Sequence, residues 1–328
     1  MTISGSMPAA SLLIIHQGAL GDFILTFPAL TRLHKYHSPI DVLSQSQQGK
    51  LAKTLGLAQN GYPLESAYFA TLFSDRIDPR MRTILEKYET IILFSLSDTL
   101  EKSINRVTSN LKCRLPPKPP ADHDIHVAQF VLDRVFECGL ITQADAQLDD
   151  IPFPAIRSRR RNQAKILLHP GAGSIRKRWP LSGFLQVETA LKESGLMPEF
   201  ILGPAEENLE HELKHTRRVV HMLDDPTDLV EMLDSAGGYI GNDSGASHLA
   251  AYLGLPTTVI FGPADPARWA PLGRSVQIVR PGLKCRPCFE TEPDNCDEPQ
   301  CLAGTSPQTV LEAFYGVYSN PDKPEQLK

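Results

Sequence analysis

The most informative segment of this chain is Gly241-Asn242-Asp243-Ser244-Gly245-Ala246-Ser247-His248-Leu249-Ala250. It follows a short apolar run and ends in an apolar one, which predicts a strand end, a polar turn and a helix start. Asn242, Asp243 or Ser244 can cap that helix, and Gly254 followed by Pro256 can stop it. The first backbone N–H groups of such a helix attract an anion. The segment therefore predicts a phosphate site, with an ordinary capped strand–helix turn as the alternative.

Composition indicates a globular protein with two domains. The 328 residues, 41% hydrophobic and 22% charged, suffice for two cores of ordinary size. A net charge of -5 argues against broad nucleic-acid binding. No apolar run approaches the roughly 18 residues of a membrane helix, so we expect a cytoplasmic protein that touches a membrane only from its surface. One basic cluster is either a solvated surface or a contact for an anionic substrate or membrane: Arg157, Arg159, Arg160, Arg161 and Lys165.

Short apolar runs alternate with amphipathic stretches along the chain, which predicts α/β domains with parallel sheets. The pattern restarts after a stretch rich in Pro and Arg at 151–161, so we expect two Rossmann-like domains that face each other across a cleft. Ligands of such domains bind at the carboxyl ends of the strands. The predicted strands are 11–16, 41–43, 90–94, 165–169, 199–203, 237–240 and 257–261. The predicted helices are 23–36, 125–138, 184–192, 227–236 and 307–317.

Two further loops at predicted strand ends carry glycine and charge. The first, residues 16–22, has glycines for a tight turn and Asp22 at a helix start, where the carboxylate can simply be an N-cap. The second, residues 169–180, joins a glycine-rich turn to three consecutive cations just before Pro180. Cations do not stabilise the start of a helix. An anion held between this loop and the Asp243 turn would explain their position.

Five parts of the chain match one known family of enzymes. In chain order they are Gly18-Ala19-Leu20-Gly21-Asp22 with Phe27-Pro28-Ala29-Leu30, His126 to Gly139, His169-Pro170-Gly171-Ala172-Gly173 with Lys177-Arg178-Trp179-Pro180, Asn242-Asp243-Ser244-Gly245 with His248-Leu249, and Phe261-Gly262-Pro263-Ala264-Asp265-Pro266. In these parts and their order the chain resembles glycosyltransferase family 9, the ADP-heptose:lipopolysaccharide heptosyltransferases and their relatives. The resemblance implies a GT-B fold, with an acceptor-binding domain over 1–155 and a nucleotide-sugar-binding domain over 156–306. The second domain would include a cysteine-rich loop at 285–301, and residues 307–328 would form a helix and tail that can pack back on the first domain.

The resemblance also implies a reaction: the inverting transfer of a heptose, or a related sugar, from ADP-heptose to a lipopolysaccharide core or similar acceptor. In this single displacement a base takes the proton of the acceptor hydroxyl while the diphosphate leaves from the opposite face. Asp22 matches the family's base. Lys177 matches the cation beside the leaving phosphate. The helix that begins near Ser244 would hold the diphosphate without a metal ion, so we expect no cofactor.

The remaining site residues are assigned to the two substrates. Glu206 or Glu207 follows a predicted strand and is placed to accept hydrogen bonds from ribose hydroxyls. The basic residue that family members often carry near positions 16 and 17 is missing here, so contacts of that loop differ. His248 either contacts the ligand or braces the turn. The residues expected at the nucleotide sugar are Gly171, Ser174, Arg176, Arg178, Glu206, Asp243, Ser244, Gly245 and His248, and those expected at the acceptor are Gly18 and Gly21.

The expected partners are an ADP-activated sugar and an anionic glycolipid or lipopolysaccharide-core acceptor, with peripheral contact at the cytoplasmic face of the inner membrane and no nucleic acid. Two other functions can share this fold. A nucleotide-sugar epimerase needs a second acid or base and no acceptor. A non-catalytic nucleotide-sugar-binding protein keeps the Asp243 helix without the base, and the presence of both Asp22 and Lys177 disfavours it.

The cysteines allow more than one interpretation. Four thiolates can hold a structural zinc ion, whereas the prolines among them indicate an irregular loop in which disulfides or free thiols are the alternative. The other two cysteines, Cys113 and Cys138, are isolated in the sequence. A second group of possible metal ligands, residues 122–126, is expected instead to cap and start the next helix. The clustered cysteines are Cys285, Cys288, Cys296 and Cys301.

Overall fold

The computed structural model of this chain describes residues 10–149, 151–154, 161–215, 217–282, 287–290 and 300–319. The chain divides into two compact units, Met1–Pro152 and Phe153–Lys328. Each unit is built on one parallel sheet with helices, which confirms the prediction of two Rossmann-like α/β domains. In the ranges just given, no helix is both long enough and apolar enough to cross a membrane.

The sheet of the first unit changes direction at its first strand. Its order is β3-β2-β1-β4-β5, with every pair parallel, so the chain moves outward to β3 and returns on the other side of β1. Ligands of α/β sheets bind where the order reverses, and the loop after β1 starts there. The strands are β1 (Ala10–His16), β2 (His37–Ser44), β3 (Gly61–Pro63), β4 (Thr90–Phe94) and β5 (Leu111–Leu115). The helices are α1 (Leu20–Ile24), α2 (Phe27–Leu33), α3 (Ser46–Thr54), α4 (Ala67–Ala70), α5 (Pro79–Glu86), α6 (Asp98–Asn105) and α7 (Val127–Glu137).

The second unit repeats this plan with a six-stranded parallel sheet. Its order is β11-β10-β9-β6-β7-β8, so the reversal falls between β6 and β9. The strands are β6 (Asn162–His169), β7 (Met197–Leu202), β8 (Val220–Met222), β9 (Ala236–Asn242), β10 (Thr257–Ile260) and β11 (Val276–Val279). The helices are α8 (Leu181–Glu193), α9 (Glu207–His215), α10 (Pro226–Ser235), α11 (Gly245–Tyr252), α12 (Pro266–Trp269), α13 (Gln300–Ala303) and α14 (Pro307–Tyr318).

Two glycines explain how β9 and α11 fit into the second unit. A Cβ atom on Gly237 would lie 2.0 Å from the backbone oxygen of Gln163, so only glycine lets β9 approach the chain of β6. Gly254 follows α11 with a φ of 76°, the left-handed conformation that commonly ends a helix. A glycine is therefore required at each end of the strand–turn–helix segment.

One predicted helix is divided in the structure, and several observed helices were not predicted. The predicted helix 23–36 is two helices, α1 and α2, because Pro28 lacks an N–H and lies in the first turn of α2 rather than inside a longer helix. The apolar face of α14 lies in the second unit's own core, where Val310 and Phe314 are buried. That residues 307–328 can also pack back on the first domain stays a prediction. The capping interpretation of 122–126 is confirmed, since His126 is the N-cap of α7 and its Nδ1 accepts from Ala128 N at 3.2 Å.

Some predictions concern residues outside the described ranges. These include the domain boundary at 155 and three arginines of the basic cluster, Arg157, Arg159 and Arg160. Lys165, from the same cluster, lies in β6 and pairs with Glu199 of β7 at 3.2 Å. This lysine is therefore part of an ion pair within the second unit.

Candidate functional site

Two loops of the second unit leave neighbouring strands at the point where the strand order reverses. Residues 170–180 follow β6, and residues 243–244 join β9 to α11. His169 of β6 pairs with Gly241 of β9, so both loops start from the same carboxyl edge of the sheet. This is the edge at which α/β domains bind ligands.

The side chain of Asn242 ties these two loops together. Its Nδ2 donates to Pro170 O at 2.8 Å, and its Oδ1 accepts from Trp179 N at 3.0 Å. The residue is fully buried, so neither backbone group has water as a replacement partner. The sequence had suggested only a possible helix cap here. Asn242 instead fixes both ends of the 170–180 loop.

The start of α11 is built around Ser244, which is the N-cap among the three candidates. Its Oγ accepts from Ser247 N at 3.4 Å and lies 3.3 Å from His169 Nδ1. Burial, and then the charge of Arg178, lowers the pKa of His169 to about 4. The imidazole is therefore neutral near pH 7 and adds no charge to the turn. Gly245, the first residue of α11, follows directly.

Lys177 forms an ion pair with a buried carboxylate of the second loop. Its Nζ lies 2.7 Å from Asp243 Oδ2, and His248 Nε2 lies 3.9 Å from Asp243 Oδ1. Burial raises the pKa of the Asp243 carboxyl, and the Lys177 ammonium opposes that rise. The Lys177 side chain keeps 19% of its surface exposed, against 5% for Asp243. The structure thus brings three predicted site residues together, with the cation as the solvent-facing member.

The two arginines that flank Lys177 have different surroundings. Arg178 donates from Nε and Nη2 to Ala172 O at 3.2 and 3.1 Å, and Nη2 lies 3.3 Å from Glu206 Oε1. It therefore closes its own loop. Arg176 lies with its guanidinium carbon 5.7 Å from the ring centroid of Phe289. Ser174 caps the short turn that carries Arg176 and accepts its backbone N–H at 3.3 Å.

Glu206, expected to bind ribose, has partners within the protein. Its Oε2 accepts from Gly203 N at 2.8 Å, and its Oε1 is the partner of Arg178. A Cβ atom on Gly171 would lie 2.5 Å from Glu206 Cδ, so glycine at 171 makes room for this carboxylate. Glu207, the alternative ribose ligand, is the exposed first residue of α9.

In the first unit Asp22 is the third residue of α1, and not its N-cap; Ala19 has that place. The carboxylate reaches back to accept from Ala19 N at 3.2 Å, as acidic residues in a first helical turn do. A Cβ atom on Gly18 would lie 3.0 Å from Asp22 Oδ2 and 2.8 Å from His16 Cε1. Glycine at 18 therefore lets the loop pass close to the carboxylate. Gly21 lies inside α1, so it is a helical residue rather than a turn residue.

The cysteines lie in two regions of the chain. Cys113 of β5 and Cys138, the C-cap of α7, form a disulfide with Cα atoms 5.6 Å apart, a pairing that the sequence did not suggest. Cys285 and Cys296 lie outside the described residues, so the zinc interpretation stays a prediction. Among the residues that the structure describes, no three or more His, Cys, Asp or Glu side chains are grouped to hold a metal ion.

Comparison with known proteins confirms the resemblance stated from the motifs. The family model for glycosyltransferase family 9 (heptosyltransferase) matches residues 138–296. The lipooligosaccharide heptosyltransferase 2 of Campylobacter jejuni is 31% identical over 173 residues, which cover 49% of this chain and 53% of that protein. The chain thus spans about half the length of this curated relative.

Solved structures agree over almost the whole chain. A glycosyl transferase of family 9 from Veillonella parvula has a TM-score of 0.74 at 16% identity and covers 96% of this chain and 98% of its own. The ADP-heptose lps heptosyltransferase II of E. coli has a TM-score of 0.73 at 16% identity, covering 95% of this chain and 100% of its own. At this identity the likeness shows the fold, which is the GT-B fold with two Rossmann-like domains.

Proposed function

We propose that this chain is an inverting glycosyltransferase that moves a heptose, or a related sugar, from ADP-heptose to a lipopolysaccharide core or similar glycan acceptor. The observation that carries the proposal is the position of the Lys177 ammonium. It lies 2.7 Å from the buried carboxylate of Asp243, which directly precedes Ser244, the N-cap of α11. A diphosphate at this edge of the sheet would meet an ammonium and the N–H groups of a helix start together. The match to family 9 supports the sugar transfer.

The donor half of the reaction requires compensation of charge on the departing diphosphate. Lys177 supplies a positive charge, and Asp243 holds that ammonium in place before the donor binds, so little reorganisation is needed during the reaction. The N–H groups near Gly245 would donate hydrogen bonds to a phosphate oxygen. These groups act without a metal ion in the scheme that we propose.

The acceptor half requires a base, and Asp22 is the residue that we assign to it. Its carboxylate would take the proton of the acceptor hydroxyl as the new C–O bond forms and the bond to the diphosphate breaks. The hydrogen bond from Ala19 N and the helix start both favour a negative charge on this side chain. The proton then passes to solvent when the product leaves.

The acceptor follows from the same assignment. The name of the related C. jejuni protein contains the word lipooligosaccharide, and that of the E. coli structure contains the abbreviation lps. We therefore propose an anionic glycolipid acceptor, reached by peripheral contact at the cytoplasmic face of the inner membrane. Flotation with vesicles that carry a lipid-linked core acceptor tests this contact, and a protein that remains unbound at physiological salt would contradict it.

Calorimetry tests the donor assignment. We expect ADP and ADP-heptose to bind more tightly than UDP or GDP, with the same affinity in EDTA, and Ser244→Trp to block binding by filling the helix start. Lys177→Ala should weaken ADP binding at least about tenfold, because it removes a charge from the phosphate site. The matched control is Lys165→Ala, since Lys165 also pairs with a carboxylate in this unit and is similarly buried. Preference for UDP or GDP would overturn the sugar assignment, and no nucleotide binding would overturn the function.

A transfer assay tests the base. We expect Asp22→Asn to abolish release of ADP from ADP-heptose in the presence of acceptor while ADP affinity stays unchanged, because the amide cannot take a proton. Asp78→Asn is the control, since Asp78 also accepts a backbone N–H at a helix start of the first unit, from Arg80 at 2.7 Å. Full transfer by Asp22→Asn would refute this role, and epimerised sugar without acceptor would favour an epimerase.

A further inference from the structure

The segment 287–290 places an aromatic ring against the cations of the 170–180 loop. The Lys177 ammonium lies 4.4 Å from the centroid of the Phe289 ring, and the Arg176 guanidinium carbon lies 5.7 Å from it. Arg176 Nη2 also donates to Cys288 Sγ at 3.9 Å. Both distances to the ring are within the range of cation–π attraction. Two neighbouring positive side chains therefore share one aromatic ring.

The position of Phe289 is fixed by contacts that do not involve either cation. The backbone N–H groups of Cys288 and Phe289 both donate to Pro263 O, at 2.9 and 3.0 Å. The ring packs against a buried apolar cluster that includes Phe261. The next residue, Glu290, accepts at 2.9 Å from Arg268 Nε. The ring is thus held against the segment after β10, and its position does not depend on Lys177 or Arg176.

This arrangement restricts where the Lys177 ammonium can point. An ammonium has three N–H donors, which rotate about the Cε–Nζ bond until neighbouring groups favour one orientation. Asp243 Oδ2 lies 2.7 Å from the ammonium nitrogen, and the centroid of the Phe289 ring lies 4.4 Å from it. The ring also reduces the repulsion between Lys177 and Arg176, because its face is negative. The ammonium is therefore oriented before any anion arrives, which lowers the cost of binding one.

We propose that Phe289 is a positioning residue for the phosphate site: its ring holds the side chains of Lys177 and Arg176 in the orientation that receives the diphosphate of the donor. This inference rests on the proposed function of the same site. It assigns a role to part of the cysteine-rich segment, since Phe289 follows Cys288. Phe289 would act through the two cations, and its ring would take no part in the reaction itself.

Replacement of Phe289 by leucine and by tyrosine tests the proposal. Leucine keeps apolar packing and loses the aromatic face, so we expect ADP affinity to fall about fivefold, whereas tyrosine should retain it. The KM for the donor should rise in the leucine variant while kcat changes less. In a Lys177→Met, Arg176→Met background the leucine substitution should have no further effect on ADP affinity. Ile278→Ala is the control, since Ile278 packs against the same apolar cluster and its loss should lower the melting temperature alone.

Two readouts separate this inference from the proposed function. In wild-type protein the ε-CH₂ protons of Lys177 should show an upfield ring-current shift in NMR spectra, and Phe289→Leu should remove it. Wild-type protein with that shift but without ADP binding would overturn the proposed function. Equal ADP affinity in the leucine variant and wild type would overturn the role of Phe289, as would an equal loss in Phe289→Leu and Ile278→Ala.

Discussion

The substitution Asn242→Ala should separate the two loops of the candidate site. It removes the 2.8 Å bond to Pro170 O and the 3.0 Å bond from Trp179 N, in a position with no exposed surface. Each broken bond leaves a buried backbone group without its partner, at a cost of about 1–2 kcal/mol. The free energy of unfolding of the second unit should therefore fall by about 3 kcal/mol. For a domain of 150–250 residues this lowers the melting temperature by roughly 6–12 °C.

Calorimetric melting and ADP titration measure this effect together. The two units can unfold in separate transitions, so the shift should appear in one of them. ADP affinity should fall as well, because Lys177 lies in the loop that Asn242 holds. Asn110→Ala is the matched control: its Nδ2 donates to Tyr88 O at 2.8 Å in the first unit, so it should cost stability without loss of ADP affinity. A melting temperature within about 2 °C of wild type and unchanged ADP affinity for Asn242→Ala would refute the reasoning.

Two further predictions concern the first unit. Gly18→Ala would place a methyl group 3.0 Å from Asp22 Oδ2, so kcat of transfer should fall about ten- to hundredfold while ADP affinity stays unchanged. The control is Gly316→Ala, whose added methyl group meets no atom within 4 Å and should leave kcat unaltered. Equal kcat in the two variants would contradict the prediction. Hydrogen bonding, chiefly from Lys35, lowers the pKa of Asp145 to about 2, so its stabilisation is present above the ordinary value near 4 and is lost as pH falls towards 2. Urea unfolding should show Asp145→Asn less stable than wild type by about 1–2 kcal/mol at pH 7 and equal to it near pH 2, and a difference that persists in acid would contradict this origin.

The strands were predictable because a strand in the centre of a parallel sheet is a continuous apolar run. Residues 90–94 are the clearest case, since the predicted strand and β4 coincide. Short edge strands do not have this signature: β3 has three residues, and β8 has three residues that are all only partly buried. Helix α6 was missed for a related reason, since its charged outer face hides a narrow buried side. Continuous apolar runs and long amphipathic stretches are visible in a sequence, whereas short segments with few buried residues are not.

Those parts of the site that depend on hydrogen bonds between residues close in the sequence were predictable. A cap such as Ser244 binds an N–H three residues away, so the segment itself limits the choices. The bonds of Asn242 depend on the register of β6 against β9, which no local pattern contains. The same holds for the disulfide of Cys113 and Cys138, whose partners are separated by 25 residues. Long-range contacts such as these could be identified only from the structure.

The three consecutive cations show that residue type and order do not predict which partner each side chain of a site will have. The sequence explained Arg176, Lys177 and Arg178 by one anion, yet the structure gives Arg178 different partners from the other two. Arg178 bonds to the carbonyl of Ala172 in its own loop, and Arg176 lies beside the Phe289 ring. Of the three, Lys177 is the one that pairs with the buried Asp243 carboxylate. A positive charge at the helix start is unfavourable by itself. Each of these cations has a compensating contact, and Arg176 and Lys177 share one of them, the ring of Phe289. In the site that we propose, Arg178 therefore shapes the loop, Phe289 orients Lys177 and Arg176, and Lys177 supplies the charge that meets the diphosphate.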